Sequence, residues 1–437
     1  MTEISASQPS EELRTLSLDD LHARFRRDYD PFSSNTIKQQ LDELAERRGE
    51  LPVSYSGRGN GCWVITRYDD ISSMLRRSSR GFVSFPSTPD GVNTQGSQKA
   101  MIPIELDGAE HRQYRQVLDP LFAPKRVGLL EPELRAAASR LIDEFIERGE
   151  ADFAHDFALP FPGATVLAIM GWPAEDLEKL NTWVGIVMHG IIGASEEESN
   201  AARRQAHGEI RAYFFDLIAK RRQSLGDDVT SHLLQLELNG RGLTDDELFD
   251  TFLLMMLAGL DTVKSVLAQS FAYLGTHPEA WDAMFATPES LDPAIEELLR
   301  VTSPAVPTRN VTDEFVEMGG VPIPRGERVH GPLIAANYDP EVYPEPNEIR
   351  FDRDMKPHLS FGLGPHRCLG VHLARLELKI GFQELRRRLP TFSLDTRYQP
   401  VDHLGLAWGV ENVHITFPPG PRENGQREDE QPGSQSE

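Results

Sequence analysis

One cysteine of the chain stands in a setting that suits metal or nucleophile chemistry. Cys368 lies between Gly364 and Gly370, immediately before an amphipathic run that predicts a helix over Val371–Arg388. A thiolate near a helix N-terminus has a lowered pKa, because unpaired backbone N–H groups stabilise its charge. The glycines allow close backbone approach. The segment favours a nucleophile or a metal ligand, and a turn with a buried structural thiol is the alternative.

An acid and a hydroxyl interrupt the most apolar stretch of the chain. Asp261 and Thr262 directly follow the apolar run at residues 252–260. The pattern predicts a single helix of about 30 residues, or roughly 45 Å, starting after Thr244, with Glu247 completing a capping box. Polar groups among apolar residues are costly without partners. A functional pair is one interpretation, and a back-bonded threonine beside a surface aspartate is the other.

A third pair of residues shares one face of a predicted helix. Glu297 and Arg300 are three residues apart, which allows their side chains to meet. Taken alone, this common spacing favours a surface ion pair. The pair gains meaning only from its place between the two segments above.

The three segments together resemble the cytochrome P450 family, in type, spacing and order. The residues from Phe361 to Gly370 match the motif F-x-x-G-x-x-x-C-x-G, and residues 258–262 match A-G-x-D/E-T. Glu297 and Arg300 match E-x-x-R. The resemblance covers roughly residues 21–417 and is strongest to soluble bacterial members such as the camphor hydroxylase, which also has valine after the threonine.

The resemblance implies a haem b cofactor and assigns roles to the residues around it. Cys368 is the implied axial thiolate, which pushes electron density onto the iron. Thr262 is implied to hydrogen-bond dioxygen, and Asp261 to help deliver protons. Further implied cofactor contacts are Phe361, Ala258 and Gly259, with the propionates held by His111, Arg115, Arg309 and His366. The implied structural triad behind the haem is Glu297, Arg300 and Arg350.

The resemblance also places an apolar substrate pocket above the haem. Its implied lining is Val92, Lys99, Met101, Ile102, Met188, Leu254, Leu257, Ala258, Ala305, Val306, Leu406 and Ala407. Because most of these side chains are apolar, we expect a hydrophobic, terpenoid-like substrate, with core packing as the alternative for each residue. Lys99 replaces a tyrosine that binds the ketone in the camphor hydroxylase. In this chain, Lys99 either binds a carboxylate or carbonyl group of the substrate or is a solvated loop lysine.

The implied activity is that of a monooxygenase, which inserts one oxygen atom of O2 into a C–H bond or an alkene. A peroxide-driven peroxygenase and a non-catalytic haem-thiolate sensor are the alternatives, and the Asp261–Thr262 pair argues against both. No spare cysteines are present to hold an iron–sulfur cluster. Electrons are therefore expected from a separate [2Fe-2S] ferredoxin and its reductase, docked on Arg112, Arg115, Arg367 and Arg375.

The elements that must position these residues are mainly helices with smaller β regions, an α+β fold. Strand patterns occur near residues 53–66 and again at 308–354, and residues 82–104 read as a long loop. The 437 residues fit one domain over residues 21–417. We expect a flexible segment at residues 1–20 and a disordered, acidic tail at 418–437.

Composition narrows the function further. The net charge of −23, from 45 basic and 68 acidic residues, excludes a general binder of nucleic acid or anionic membranes. Two cysteines, Cys62 and Cys368, cannot form a disulfide framework and indicate a reducing compartment. The apolar run at 252–260 is far shorter than the roughly 20 residues of a membrane span. We expect a soluble, cytoplasmic monomer in which Cys62 is a buried structural thiol.

Overall fold

Helices form most of the computed structural model, which describes residues 10–31, 35–85, 100–191, 194–354 and 356–423. The α-helices are α1 (Ser10–Leu13), α2 (Leu18–Arg24), α3 (Ile37–Glu50), α4 (Tyr68–Arg76), α5 (Gly108–Leu118), α6 (Pro124–Val127), α7 (Glu131–Asp143), α8 (Pro160–Met170), α9 (Leu177–His189), α10 (Glu196–Gln223), α11 (Val229–Leu234), α12 (Asp245–Leu274), α13 (Pro278–Ala283), α14 (Leu291–Val301), α15 (Leu333–Asn337) and α16 (Val371–Arg388). The expected mainly helical architecture is confirmed.

The strands are short and form small sheets. They are β1 (Val53–Ser56), β2 (Cys62–Ile65), β3 (Phe82–Val83), β4 (Glu150–Asp152), β5 (Glu237–Leu238), β6 (Arg241–Gly242), β7 (Thr308–Val311), β8 (Phe315–Met318), β9 (Val321–Pro324), β10 (Arg328–His330), β11 (Ser393–Leu394), β12 (Asp402–His403), β13 (Gly409–Val410) and β14 (His414–Thr416). The largest sheet has the order β1-β2-β10-β7-β3. β11, β14 and β4 form a second sheet, and the other pairs are hairpins.

The largest sheet connects distant parts of the chain. β1 and β2 pair antiparallel, with Val53 opposite Ile65, as the sequence predicts. β10 then pairs in parallel with β2 and antiparallel with β7, which sets Arg309 opposite Val329. Cys62 is buried in β2, as expected. The sheet thereby holds Arg309 on a rigid strand.

The long helix α12 begins where the sequence predicts and crosses the molecule. Thr244 is its N-cap, and Glu247 completes the capping box, so two of its first N–H groups are satisfied. The helix has 30 residues, most of them buried. Its first half packs in one apolar cluster with α9 and α10, and its second half packs in another with α7, α14 and α16. The residues between these halves include Asp261 and Thr262.

Helix α12 is also long and apolar enough to span a membrane, by length and composition alone. Its most apolar window is 83% buried inside the protein, as in the core helix of a soluble protein. A third apolar cluster gathers the largest sheet, α3, α4 and α15. The three clusters leave α12 enclosed by other elements of the fold.

Both ends of the domain differ from the sequence-based boundaries. The predicted flexible segment 1–20 is wrong for its second half, because α1 and the start of α2 are helical and Leu13 is buried. The predicted tail also begins too early. Gly420 donates a backbone hydrogen bond to the Ile146 carbonyl, and the Glu423 carboxylate pairs with Arg387. Residues 1–9 and 424–437 lie outside the described residues.

Candidate active site

The loop before α16 presents the Cys368 thiol. Its backbone N–H donates to the Phe361 carbonyl over 2.8 Å, which closes the loop. Gly364 has a φ of +68°, and a Cβ there would lie 2.7 Å from the Leu75 carbonyl oxygen. Glycine is therefore required where the loop crosses α4. The Cys368 side chain is exposed, as a ligand for an external group must be.

The thiol is not activated by its position alone. The loop and helices around Cys368 raise its pKa by desolvation, against the Gly370 N–H, Arg115 and Arg367, which act in the opposite direction. The expected lowered pKa is therefore wrong for the isolated thiol. A coordinated metal ion deprotonates a thiol outright. Among the described residues, no group of three or more His, Cys, Asp or Glu side chains is arranged to hold a metal, so Cys368 fits a metal that carries its other ligands with it.

Cationic groups predicted as propionate ligands come together beside this loop. The Arg115 guanidinium donates to the Arg367 carbonyl over 2.7 Å. The rings of His111 and His366 lie 4.1 Å apart. Arg309 is buried on β7, and its Nη1 donates to the Thr308 carbonyl. Helix α5, the cysteine loop and β7 thus bring two guanidinium groups and two imidazole rings together.

Burial lowers the pKa of two members of this group, His111 and Arg309, although carboxylates lie nearby. Desolvation, then His366 and Arg115, lower the pKa of His111 to about 4. Desolvation lowers the pKa of Arg309 to about 10, despite Asp107 and Glu105. Nε of Arg309 and Nδ1 of His366 are buried and have no hydrogen-bond partner among the described residues. The Arg309 Nε–H is a buried donor, which costs about 1–3 kcal/mol unless an acceptor satisfies it.

On α12, Ala258 and Thr262 are less covered than their neighbours. Ala258 is exposed and Thr262 half-buried, although Leu257, Leu260 and Val263 are buried. The Thr262 hydroxyl donates to the Ala258 carbonyl over 2.9 Å, as in the back-bonded interpretation. This bond joins the two accessible residues into one face of the helix.

Gly259 and Asp261 face other directions. A Cβ on Gly259 would lie 2.6 Å from the Val166 Cγ2, so this glycine permits the close packing of α12 on α8. Asp261 is buried, not on the surface, and its Oδ1 lies 3.0 Å from His189 Nε2. Burial would raise the pKa of Asp261, but His189, Lys264 and His403 bring it below its usual range.

The predicted pocket residues fall into two groups. Met101, Ile102, Met188 and Leu257 belong to one apolar cluster, next to Ala258. A backbone bridge pairs Ala305 with Ala407. The side chains of Leu254 and Leu406 are half-buried, and Val306 is buried in the cluster around the largest sheet. Val92 and Lys99 lie outside the described residues.

The predicted structural triad needs one correction. Glu297 and Arg300 are fully buried and form a two-bond ion pair with distances of 2.7 and 2.8 Å. The second arginine paired with Glu297 is Arg353, whose Nε lies 3.2 Å away, and not Arg350. Arg350 contributes only its backbone N–H, while its side chain is 44% exposed and faces Glu345 and Asp352. The prediction of Arg350 as the third side chain is wrong.

Sequence reasoning missed several groups that support the site. Asp107 accepts hydrogen bonds from Ser78 and the Ser84 N–H and pairs with His366. Glu296 joins Arg375 to His358, with Arg375 also lying over the Phe361 ring. The partners of Asp261 come from α9 and β12. Short sequence spacing carries no signal for these contacts, because they join segments far apart in the chain.

The residues present fit a haem. An exposed cysteine stands in a glycine-rich loop, Arg115 and Arg309 suit the two carboxylates of the group, and an exposed alanine offers space on α12. Together, these features are those of a haem-thiolate protein.

Comparison with known proteins agrees with this class. The family described as "Cytochrome P450" matches residues 192–287 and 289–406. "Probable cytochrome P450 127A1" of Sinorhizobium fredii is 36% identical over 371 residues, which are 84% of this chain and 87% of that protein. The "Methyl-branched lipid omega-hydroxylase" of Mycobacterium bovis is 31% identical and spans 79% of this chain and 84% of that protein.

A solved structure shows the same likeness. Cytochrome P450 CYP268A2 of Mycobacterium marinum, in complex with pseudoionone, has a TM-score of 0.82 and 25% identity, and covers 90% of this chain and 100% of its own. This chain belongs to the cytochrome P450 family. It is a monooxygenase with haem b as cofactor, as the sequence predicts.

Proposed function

We propose that this enzyme hydroxylates or epoxidises a hydrophobic, terpenoid-like small molecule. The observation that carries the proposal is the accessible Ala258–Thr262 face beside the apolar cluster of Met101, Ile102, Met188 and Leu257. Apolar walls with few polar groups select ligands by shape and hydrophobic contact. Two similar proteins have names that mention a methyl-branched lipid and pseudoionone, both hydrophobic.

The residues of the chain divide the work around the cofactor. Bound haem supplies the iron that activates dioxygen for insertion into the substrate. Cys368 would hold the iron, with Phe361 in the same loop. Arg115, Arg309, His111 and His366 would hold the carboxylates, which would satisfy the orphaned Nε donor of Arg309. On α12, Thr262 would hydrogen-bond dioxygen, and Asp261 would help deliver protons there.

A ligand screen with an internal control tests the proposed function. Wild-type enzyme should show a thiolate-type Soret band in the reduced carbon monoxide complex. Cys368→Ser should lose that band, and Cys62→Ser should keep it, because Cys62 is buried in β2. Terpenoids, steroids and fatty acids are then compared by the spin-state shift on binding. Shifts by steroids or fatty acids alone would contradict the terpenoid-like substrate.

The electron donor is a separate [2Fe-2S] ferredoxin with its reductase. Arg112 and Arg367 are exposed beside the cysteine loop and suit an acidic partner. Arg375 is already paired with Glu296, and Arg115 with Asp119, so they add less to docking than predicted. The Arg112→Glu variant should slow electron transfer most at low salt, whereas the exposed control Arg140→Glu should not. Equal rates and equal salt dependence for the two variants would reject this surface.

The protein acts in the cytoplasm as a monomer. Its most apolar helix is buried in the core, and its two cysteines are unpaired, as is usual in a reducing compartment. Sedimentation of the purified holoenzyme at micromolar concentration tests the monomer, and a dimer would reject it.

A further inference from the structure

Two histidines from different elements meet at Asp261. His189 is the last residue of α9, and its Nε2 lies 3.0 Å from Asp261 Oδ1. His403 belongs to β12, and its ring centre lies 4.1 Å from that of His189, edge to face. Helix α12, helix α9 and the β12–β13 hairpin thus contribute one ionisable side chain each to a single buried cluster.

The cluster contains more polar atoms than it has hydrogen bonds. Oδ2 of Asp261, Nδ1 of His189 and both ring nitrogens of His403 are buried without a hydrogen-bond partner among the described residues. Each unsatisfied buried group destabilises the fold, because it has given up its hydrogen bonds to water. Stability alone therefore does not account for this arrangement. Imidazole and carboxylate groups with free positions are suited to exchanging protons.

Charges around the cluster reach from the interior to the surface. Lys264 is buried on α12, and its Nζ lies 3.6 Å from Oε2 of the half-buried Glu411. Oε1 of Glu411 lies 3.8 Å from Nε2 of the exposed His155. Burial, and then His189, lower the pKa of His403 to about 4, against Asp261. At neutral pH, His403 is therefore an uncharged ring beside a carboxylate that is ionised.

The free nitrogen of His189 lies against the loop between β12 and β13. A Cβ on Gly405 would lie 3.4 Å from Nδ1 of His189 and 3.2 Å from the Met188 carbonyl oxygen. Gly405 directly precedes Leu406 and Ala407, which are predicted substrate contacts. The nitrogen is therefore covered by the hairpin loop, and only 10% of the His189 side chain is exposed.

We propose that His189 is a positioning residue that passes protons to Asp261, and that His403 holds the His189 ring in the orientation this transfer needs. The inference rests on the proposed roles of Asp261 and Thr262. Water that reaches the 10% exposed part of the His189 side chain gives a proton to Nδ1, and the Nε2 proton moves to Oδ1 of Asp261. The products are a neutral imidazole and a neutral carboxylic acid, so protons and charge balance. The ring returns to its starting tautomer by exchange with solvent.

The variant His189→Gln separates geometry from proton transfer. The glutamine amide can still donate a hydrogen bond to Asp261, but it cannot carry a proton. In holoenzyme with a surrogate ferredoxin, its reductase and pseudoionone as probe, oxygen consumption should fall about tenfold. Its pH dependence between about pH 6 and pH 9 should flatten, and its solvent isotope effect should change. The control His232→Gln, at a histidine of α11 that pairs with Asp227 and lies outside this cluster, should match wild type.

A second measurement does not depend on turnover. In the reduced, carbon monoxide-bound holoenzyme, the Nε2 proton of His189 should exchange with water, and its exchange rate should change in Asp261→Asn. His403→Phe should alter the same rate, because the two rings are in contact. An Nε2 proton that does not exchange with water would overturn the proposal, even if His189→Gln failed to fold.

The outcomes distinguish this inference from the proposed function. If Asp261→Asn slows oxygen consumption while His189→Gln behaves like wild type, the histidine relay is wrong and the role of Asp261 stands. If both variants behave like wild type, the proposed role of Asp261 fails as well. If both variants are slow and share a flattened pH profile, the relay is supported.

Discussion

Two buried carboxylates in this enzyme have opposite surroundings. Glu297 on α14 is fully saturated: both oxygens bond Arg300, and Oε1 also accepts from the Arg350 N–H and lies 3.2 Å from Arg353 Nε. Asp261 on α12 has one side-chain hydrogen bond, to His189, and its second oxygen has no partner among the described residues. Both lie on helices and are almost inaccessible to solvent.

The difference separates a group that holds structure from one that exchanges protons. Burial alone would raise the pKa of Glu297, but hydrogen bonds and charges from Arg300, followed by the Arg350 N–H and Arg353, bring it below its usual range. With every position occupied, Glu297 can neither move nor accept a proton without breaking the cluster. Asp261 keeps a free oxygen. The number of hydrogen bonds to the carboxylate, rather than its burial, therefore distinguishes the two roles.

Replacing Glu297, whose two carboxylate oxygens are both hydrogen-bonded, should give the largest effect, on the free energy of unfolding. Glu297→Gln leaves Arg300 as a buried cation with one lost partner, so the free energy of unfolding should fall by about 3–5 kcal/mol. Chemical denaturation of the holoenzyme measures this loss, and haem should be released at lower denaturant concentration. A loss below about 1 kcal/mol would show that the arginines find other acceptors.

Replacing Asp261, whose second carboxylate oxygen has no hydrogen bond, should affect activity instead of stability. Asp261→Asn still accepts the His189 hydrogen bond, so we expect a small change in the free energy of unfolding. Product formation per dioxygen consumed should fall about 100-fold, because a positioned proton donor is lost. Asp245→Asn, an exposed substitution in the first turn of the same helix, is the control. Full product yield in Asp261→Asn would remove the contrast between the two carboxylates.

The two arginines near Glu297 provide a matched pair. Arg353 is 6% exposed and also donates to the carbonyls of Pro344 and Glu348, so Arg353→Ala should cost about 1–3 kcal/mol of unfolding free energy. The Arg350 side chain is 44% exposed, so Arg350→Ala should cost less than about 0.5 kcal/mol. Equal losses on denaturation would restore Arg350 as the third member of the cluster.

The pH dependence of stability should show the smallest effect, at Glu296. Burial would raise its pKa, but hydrogen bonds from Arg375 and His358 lower it from 4.5 to about 2. A depressed carboxylate pKa adds stability above pH 4.5 and loses it as the pH falls toward 2. Since the Glu296 and Arg375 side chains are about one-third exposed, we expect about 1 kcal/mol.

The measurement for Glu296 is denaturation from neutral pH downward. The difference in unfolding free energy between wild type and Glu296→Gln should be constant near neutral pH and shrink below pH 4.5. The exposed control Glu133→Gln should follow wild type. A difference that grew as the pH fell would contradict the assigned sign.

Local patterns predicted the elements of the fold better than the partners of the buried charges. The capping residues Thr244 and Glu247 marked the start of α12, and two strand-type runs around a glycine-rich turn marked β1 and β2. The cysteine loop was identified because its glycines and Cys368 lie in one short motif. In each case the information is contained within a few neighbouring residues.

The remaining contacts depend on packing between distant segments. Arg350 and Arg353 both lie in an irregular stretch, where spacing does not decide which side chain turns toward Glu297. His189 is 72 residues from Asp261 in sequence, and His403 is farther still. The predicted flexible N-terminal segment extends too far for the same reason, because Leu13 is buried in the apolar cluster around the largest sheet.

The ion pair between Glu423 and Arg387 has a consequence for building a self-sufficient enzyme by fusion. Arg387 is near the end of the 18-residue helix α16, which begins three residues after Cys368, so about 27 Å of helix separates the two. A flexible Gly/Ser linker has a root-mean-square span of that size at about 25 residues. A reductase domain attached after Glu423 through a much shorter linker would be held away from the cysteine loop, and its effective concentration there would drop toward zero.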